Sequence, residues 1–197
     1  MSEFFAIVGN QRACRAFSHE PVPDHIVERL LEAATHAPSA ENSQPWVFVV
    51  VRDPETRAQI GAITADAWAN AGREFSRPRL TPGLFTAVDR GATGGVSDAP
   101  VLVVVAGDTT QCVETALAAS IFPAIQNLLL AANAAGLGSA LTTLPTFAGD
   151  LATILGLPDH VRPVAVVPIG YPARPLGPPR RAPVAEKTHR ERFGTPW

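Results

Sequence analysis

Residues 114 to 135 constrain the fold of this chain more than any other segment. They run Glu114-Thr115-Ala116-Leu117-Ala118-Ala119-Ser120-Ile121-Phe122-Pro123-Ala124-Ile125-Gln126-Asn127-Leu128-Leu129-Leu130-Ala131-Ala132-Asn133-Ala134-Ala135, with Gly136 behind them. The spacing predicts one long helix, stopped by Gly136 and kinked by Pro123. It is apolar nearly all round, so it must be buried on nearly all sides. A single domain of 197 residues seldom encloses such a helix completely. A partner subunit over one face is the simplest solution, and the many small residues would let it approach closely. Only 17% of the residues are charged, which fits surface buried against another subunit.

The remaining elements arrange themselves around that helix. Residues 4 to 10 read as a short helix. Ile26, Val27, Leu30, Leu31 and Ala34 recur at helical spacing behind Asp24, an acid that suits a first turn, and Pro38 ends that helix. Val47 to Val51, Pro100 to Ala106 and Val164 to Gly170 are unbroken apolar runs, read as strands buried on both faces. Asp53-Pro54 opens a helix over about Glu55 to Asn70. Residues 71 to 98, rich in glycine and proline with scattered aromatics, are the least regular part, and 64–97 is expected to be a lid or excursion. From Tyr171 the chain turns proline-rich, and 172–197 is expected to be an extended arm. The whole of 1–197 reads as one domain, with no internal repeat.

Several functions are disfavoured. A net charge of -2 offers no electrostatic case for nucleic acid. Cys14 and Cys112 make neither a disulfide framework nor a zinc set, and the five histidines show no metal spacing. No apolar run reaches transmembrane length, and the N-terminus lacks a basic region or cleavage signal, so a soluble cytoplasmic protein without a membrane partner is expected.

Four short motifs carry the chemistry. Arg12-Ala13-Cys14-Arg15 before Phe17 would neutralise an anion such as phosphate, or is a pair of solvated arginines. Ala37-Pro38-Ser39-Ala40-Glu41-Asn42-Ser43-Gln44-Pro45-Trp46 offers donors and acceptors to a planar heterocycle, or is an ordinary helix-to-strand connection. Gly136-Leu137-Gly138-Ser139-Ala140-Leu141-Thr142-Thr143 is a helix stop and a short strand. Arg180-Arg181-Ala182-Pro183 is a basic patch in the tail. Cys14 reads as a packing residue or as a nucleophile.

In this order the motifs resemble the nitroreductase family of flavin enzymes. The resemblance lies in Arg12 to Phe17, Pro21-Val22-Pro23, Ala37-Pro38-Ser39 with Asn42-Ser43-Gln44-Pro45-Trp46, Gln126 to Ala132 with Gly136-Leu137-Gly138, and Arg180 to Pro183. It covers about 8–60 and 98–193; residues 61–97 match nothing in the pattern. It implies an α+β fold of three layers, α/β/α, around a mixed, mostly antiparallel sheet. It further implies an intertwined homodimer that exchanges C-terminal arms, with one FMN at each of two interface pockets.

Residue by residue, the resemblance implies that Arg12 holds the FMN phosphate with Arg180 or Arg181, and that Arg15 lies at the N1 and C2-carbonyl edge of the flavin. Pro38, Ser39 and Asn42 would line the isoalloxazine and ribityl chain, and Gln44 would reach the flavin or substrate side. Thr142 and Thr143 would offer a backbone N–H near N5. Gln11 stands where Arg is frequent and Ala13 where Ser is frequent, so the phosphate site loses a charge and a hydroxyl. Thr143 and Leu144 stand where a Glu-Gly or Gly-Gly pair is common. The implied activity is a ping-pong oxidoreductase in which NADH or NADPH passes a hydride to FMN N5. A nitroaromatic, quinone or enone acceptor then takes the electrons, and no side chain acts as a catalytic nucleophile. Relatives of the same fold cleave reduced flavin or remove halogen from iodotyrosine, with Gly or His usual near the positions of Glu41 to Ser43; a non-catalytic FMN-binding protein is a reading of another class.

Overall fold

The computed structural model describes residues 3–147 and 150–197. Two strands make the centre: β2 (Val101–Asp108) and β4 (Val161–Gly170), antiparallel to each other. β1 (Trp46–Val51) lies on the far side of β2 and the two-residue β3 (Gly138–Ser139) on the far side of β4, giving the order β1-β2-β4-β3. All these pairings are antiparallel, and the parallel component of the sheet is a single bridge between Ala13 and Ser139. The ladder slips a register between Val105 and Ala106, and Pro163 sits opposite Ala106 there, where a missing N–H is tolerated.

The three layers follow from strand alternation. Val101, Val103 and Val105 of β2, with Ala165, Val167 and Ile169 of β4, face α2 (Asp24–Thr35) and α7 (Glu114–Ala134). Leu102, Val104 and Val166 face the other way, onto Ile60 of α3 (Pro54–Ala67), Val96 of α6 (Val96–Asp98) and Leu151 of α8 (Leu151–Ile154). Residues 101–106 are wholly buried. Each such aliphatic side chain contributes about 1.5–3 kcal/mol of burial free energy. The edge strand β1 is another matter: of its six residues only Val51 is buried, and among the described residues no further strand covers its outer edge. The expectation of burial on both faces therefore holds for β2 and fails for β1.

α7 is the predicted long helix, closed by Gly136 at φ +74°, with the Leu137 N–H returning to the Ala132 carbonyl at 2.9 Å. Pro123 does not divide it; the N–H it lacks would have served Ala119, whose exposed side faces water. By length and composition α7 would reach across a membrane, contrary to the expectation that no run does so. It is apolar because Leu117, Ile121, Ala124, Ile125 and Leu128 are buried in the core. Thr115, Ala118, Ala119, Phe122 and Gln126 remain exposed along one face, so this chain alone buries the helix only in part.

Residues 71–98 are helical rather than irregular. α4 (Arg73–Ser76) and α5 (Pro82–Arg90) lead into a π-helical turn at Gly91–Gly95 and then α6; a second π turn at Trp68–Gly72 follows α3. Pro82 occupies the first turn of α5, where proline favours helix, and Gly72, Gly91 and Gly95 serve close packing instead of turns. The excursion has its own aromatic nucleus. Trp68, 3% exposed, stacks on Phe85 with centroids 5.9 Å apart, and its indole N–H donates to Asp89 at 2.9 Å. α1 spans Glu3–Asn10. The tail beyond Ala173 is largely exposed, with a short 3-10 turn at Val184–Glu186 and a bridge from His189 to Pro196 that folds its end back on itself, so it is not extended throughout.

Candidate functional site

Three segments far apart in sequence lie side by side at the β3 edge of the sheet. The Cys14 N–H donates to the Ser139 carbonyl at 2.8 Å, the Ser18 N–H to Tyr171 at 2.8 Å, and the Ala173 N–H to Ala16 at 3.0 Å. The arginine motif is thus an added strand-like rail between β3 and the start of the tail. Cys14 points inward at 1% exposure, and burial raises its thiol pKa, so packing is the role of this residue. Arg12 reaches along the tail, its guanidinium donating to the Gly177 carbonyl at 2.9 Å.

Arg15 is clamped by the π turn. A Cβ added at Gly95 would stand 2.5 Å from the Arg15 carbonyl oxygen, and one at Gly91 would stand 2.6 Å from its Cδ. Only hydrogen at both positions lets the turn close on this side chain. Burial first, and the neighbouring charge of Arg12 second, lower the Arg15 pKa. None of the three ion pairs among the described residues includes Arg15. A half-buried guanidinium without a carboxylate partner leaves a positive charge for an anionic group to meet.

Arg15 and Cys14 line two adjoining cavities. One, of about 90 Å³, is closed by Leu141, Thr142, Gly91 and Gly95. The other, a cleft of about 290 Å³, runs to Arg12, Arg90 and Arg174. Gln11 and Arg12 also line a third of about 150 Å³ with Gly138 and Ser139. The structure therefore gathers Gln11, Arg12, Arg15 and Thr142. The Thr142 N–H is committed to the sheet, donating to Val166 at 3.0 Å. Thr143 uses its carbonyl to accept from Thr146, and its own N–H has no acceptor among the described residues.

The loop 37–46 is elsewhere. Its Ala40 N–H donates to Ser120 Oγ of α7 at 3.1 Å, and its Gln44 N–H to Ser39 Oγ at 3.0 Å, so the Ser39 oxygen closes the loop on itself. Glu41, Asn42 and Gln44 all take positive φ, at 55°, 55° and 48°. Asn tolerates that region; for Glu and Gln each such residue costs on the order of 1–3 kcal/mol, strain that clusters where function demands a fixed shape. Pro38, Glu41, Asn42 and Gln44 are exposed. The cavities lined by Arg12 or Arg15 contain no residue of this loop. Arg180 and Arg181 are exposed too, the Arg181 side chain donating to the Arg180 carbonyl at 3.1 Å, and neither lines the cavities that hold Arg12 and Arg15. Within one chain the predicted site residues thus fall into two separate groups, with the two tail arginines apart from the cavities of both.

Arg90 and Arg174 escaped the sequence reading, and Gly91, Gly95 and Leu141 entered it only within an irregular stretch and a short strand, without a site role. The glycine pair spaced four apart was the available signal for a close approach, but its partner is 76 to 80 positions away. Phe75, exposed, lines a separate cavity of about 580 Å³ with Ile63 and Phe147. No cluster of three or more His, Cys, Asp or Glu occurs among the described residues.

Residues 8–171 match the model of the nitroreductase family. The match runs through 61–97, which the motifs left unplaced, and stops short of Arg180 and Arg181. Among curated proteins, the chain is 29% identical over 184 residues to iodotyrosine deiodinase 1 of Rattus norvegicus, covering 87% of this chain and 63% of the rat protein. It is 30% identical over 174 residues to a Methanothermobacter thermautotrophicus protein provisionally assigned as an NADH dehydrogenase/NAD(P)H nitroreductase, covering 86% and 78%. A Desulfovibrio desulfuricans protein provisionally assigned as a nitroreductase and solved in complex with FMN is 26% identical, superposes with a TM-score of 0.75, and is covered over 99% of its length by 98% of this chain.

Proposed function

We propose a function from one premise: the chain belongs to the nitroreductase family. It is an oxidoreductase that binds FMN and passes two electrons from NADH or NADPH to a small organic acceptor, a nitroaromatic, quinone or enone. The observation that carries this is Arg15, a half-buried cation without an acidic partner among the described residues, facing two cavities beneath glycines that admit no side chain. The residues present fit FMN: cations for its phosphate and for its ring edge and, among the described residues, a Thr143 N–H with no acceptor and no cluster of three or more metal-ligating side chains. The similarity to a protein solved with FMN supports the same cofactor.

When bound, FMN supplies an N5 atom that accepts and returns a hydride. The chain does the rest. Arg15 holds negative charge at the N1 and C2-carbonyl edge, and its burial makes that charge count for more than it would in water. Arg12, beside Gln11, holds the phosphate. Thr143 offers the backbone N–H, since that of Thr142 is bonded into the sheet. Pro38, Ser39, Asn42 and Gln44 cover the ring from a second copy of the chain, because the loop and the Arg15 clefts are separate within one copy. The exposed face of α7, with Phe122 and the small residues beside it, is the surface for that homodimer. The arm carrying Arg180 and Arg181 crosses to the partner, and residues 64–97 form the lid.

Two measurements test this. Purified protein should carry a flavin spectrum that NADH or NADPH abolishes anaerobically; a protein that retains no FMN sinks the reading. Arg15→Ala and Asn42→Ala variants, each inactive alone, should regain activity when mixed and re-equilibrated. No recovery would place both half-sites' work in one chain.

The similarity to rat iodotyrosine deiodinase favours a second reading, reductive dehalogenation at the same site. There an aryl iodide takes two electrons and a proton and leaves as arene and iodide. Iodide release from 3-iodotyrosine, set against reduction of a nitroarene by the same preparation, decides between the two.

A further inference from the structure

Arg90 and Arg174 have no part in the site so far. They line the cleft of about 290 Å³ with Arg12 and Arg15, and Leu84 and Ala87 of α5 form an apolar wall beside them. Among the described residues no carboxylate lines this cleft. The three ion pairs among the described residues are Arg52–Asp24, Arg73–Asp89 and Arg162–Glu114, so all four of these guanidinium groups lack an acidic partner there. Three of the four, Arg12, Arg90 and Arg174, are exposed and Arg15 is half-buried, so water screens them in part, yet together they make the cleft positive and favour an anion in it; the Arg12 charge already helps lower the Arg15 pKa. A phosphate monoester carries roughly -1.5 to -2 at neutral pH. It offsets about two of the four charges and leaves about two.

We propose that Arg90 and Arg174 form an anion subsite that selects acceptors bearing a carboxylate on an aromatic ring. The proposal rests on the FMN reading, which assigns Arg12 and Arg15 to the cofactor. The carboxylate meets the two guanidinium groups, from α5 and from the tail, and the ring lies on Leu84 and Ala87. Such pairing is charge-assisted and, for arginine, geometrically selective. Neither residue belongs to a recognised motif, and they are 84 positions apart; only the fold brings them to one cleft.

The test is calorimetric titration of the FMN-loaded protein with benzoate and with benzamide, neither of which is reduced. Benzoate should bind about tenfold or more tightly than benzamide, as hydrogen bonds to charged groups imply, and the preference should shrink with added salt. Arg90→Gln and Arg174→Gln should abolish the preference while leaving the dissociation constants of benzamide and FMN unchanged. In turnover, the KM for 4-nitrobenzoate should rise in both variants with kcat held, and that for 4-nitrobenzamide should not move. Equal binding of benzoate and benzamide to the unmodified protein overturns the proposal. So does weaker binding of FMN but not of riboflavin in the variants, which would assign these cations to the cofactor phosphate. Protein that retains no FMN overturns the earlier reading and this proposal with it, because Arg12 and Arg15 are then free to take the anion; FMN-loaded protein that binds benzoate and benzamide equally overturns this proposal alone.

Discussion

Gly95 lies against the backbone of Arg15 so closely that a Cβ there would stand 2.5 Å from the Arg15 carbonyl oxygen. A glycine of the helical excursion thereby fixes the residue on which the proposed cofactor site depends. Structure and function meet in this contact, and the first prediction follows from it.

Gly95→Ala should force the π turn and the arginine rail apart. Overpacking of this kind costs typically 1–3 kcal/mol, and for a chain of this size about 2–4 °C of Tm per kcal/mol. Differential scanning calorimetry should show that loss, and FMN titration should show weaker binding in the same variant. An unchanged Tm with unchanged FMN affinity would mean that the clamp does not hold Arg15.

Arg15→Gln removes the half-buried charge and keeps polarity. FMN affinity should fall by about tenfold or more, and the reduction potential of the bound flavin should drop, because no cation then stabilises the reduced anion. Arg15→Lys should recover part of the potential and less of the affinity, since an ammonium lacks the planar fork. Spectroelectrochemistry and fluorescence titration separate the two effects.

Ser120→Ala deletes the hydroxyl that accepts the Ala40 N–H at 3.1 Å. An orphaned, part-buried donor costs about 1–3 kcal/mol. The strained conformations of Glu41, Asn42 and Gln44 should then relax, seen as faster amide hydrogen exchange over 39–44 with no change at 12–18. Uniform exchange changes in both segments would argue that the half-sites are not independently built.

Asp89 anchors the excursion. The hydrogen bond from the Trp68 indole first, and the Arg73 charge after it, hold its carboxyl below the usual carboxylate pKa of about 3.9. A depressed folded-state pKa adds stability above the unfolded value, and that stability is lost as pH falls through the folded value. Asp89→Asn should flatten the acid limb of the stability–pH curve below about pH 4 and speed amide exchange over 68–90 at neutral pH. An acid limb that keeps its slope would exclude this carboxylate as its source.

Much of the architecture was legible because it rests on local rules. The apolar runs of β2 and β4 admit only a sheet covered on both faces. Asp53-Pro54 starts α3 through a side-chain cap, its carboxylate accepting the Thr56 N–H at 2.8 Å. Gly136 stops α7 because only glycine takes φ +74° without strain. Residues 71–98 misled for the opposite reason: glycine spacing that reads locally as loop serves a contact with residue 15. β1 misled because a continuous valine run does not say whether a neighbour exists on its outer edge.

The chain's own order of residues determined most of the elements and, through its motifs, the family whose fold they imply, since capping, alternation and motif spacing act over a few positions. Tertiary structure alone decided the site. It set the Arg12 to Phe17 rail between β3 and Tyr171, closed Gly91 and Gly95 over Arg15, committed the Thr142 N–H to Val166, and parted the loop 37–46 from the arginine cleft. Those are contacts between residues tens of positions apart, chosen by packing of the whole core, and no local pattern encodes them.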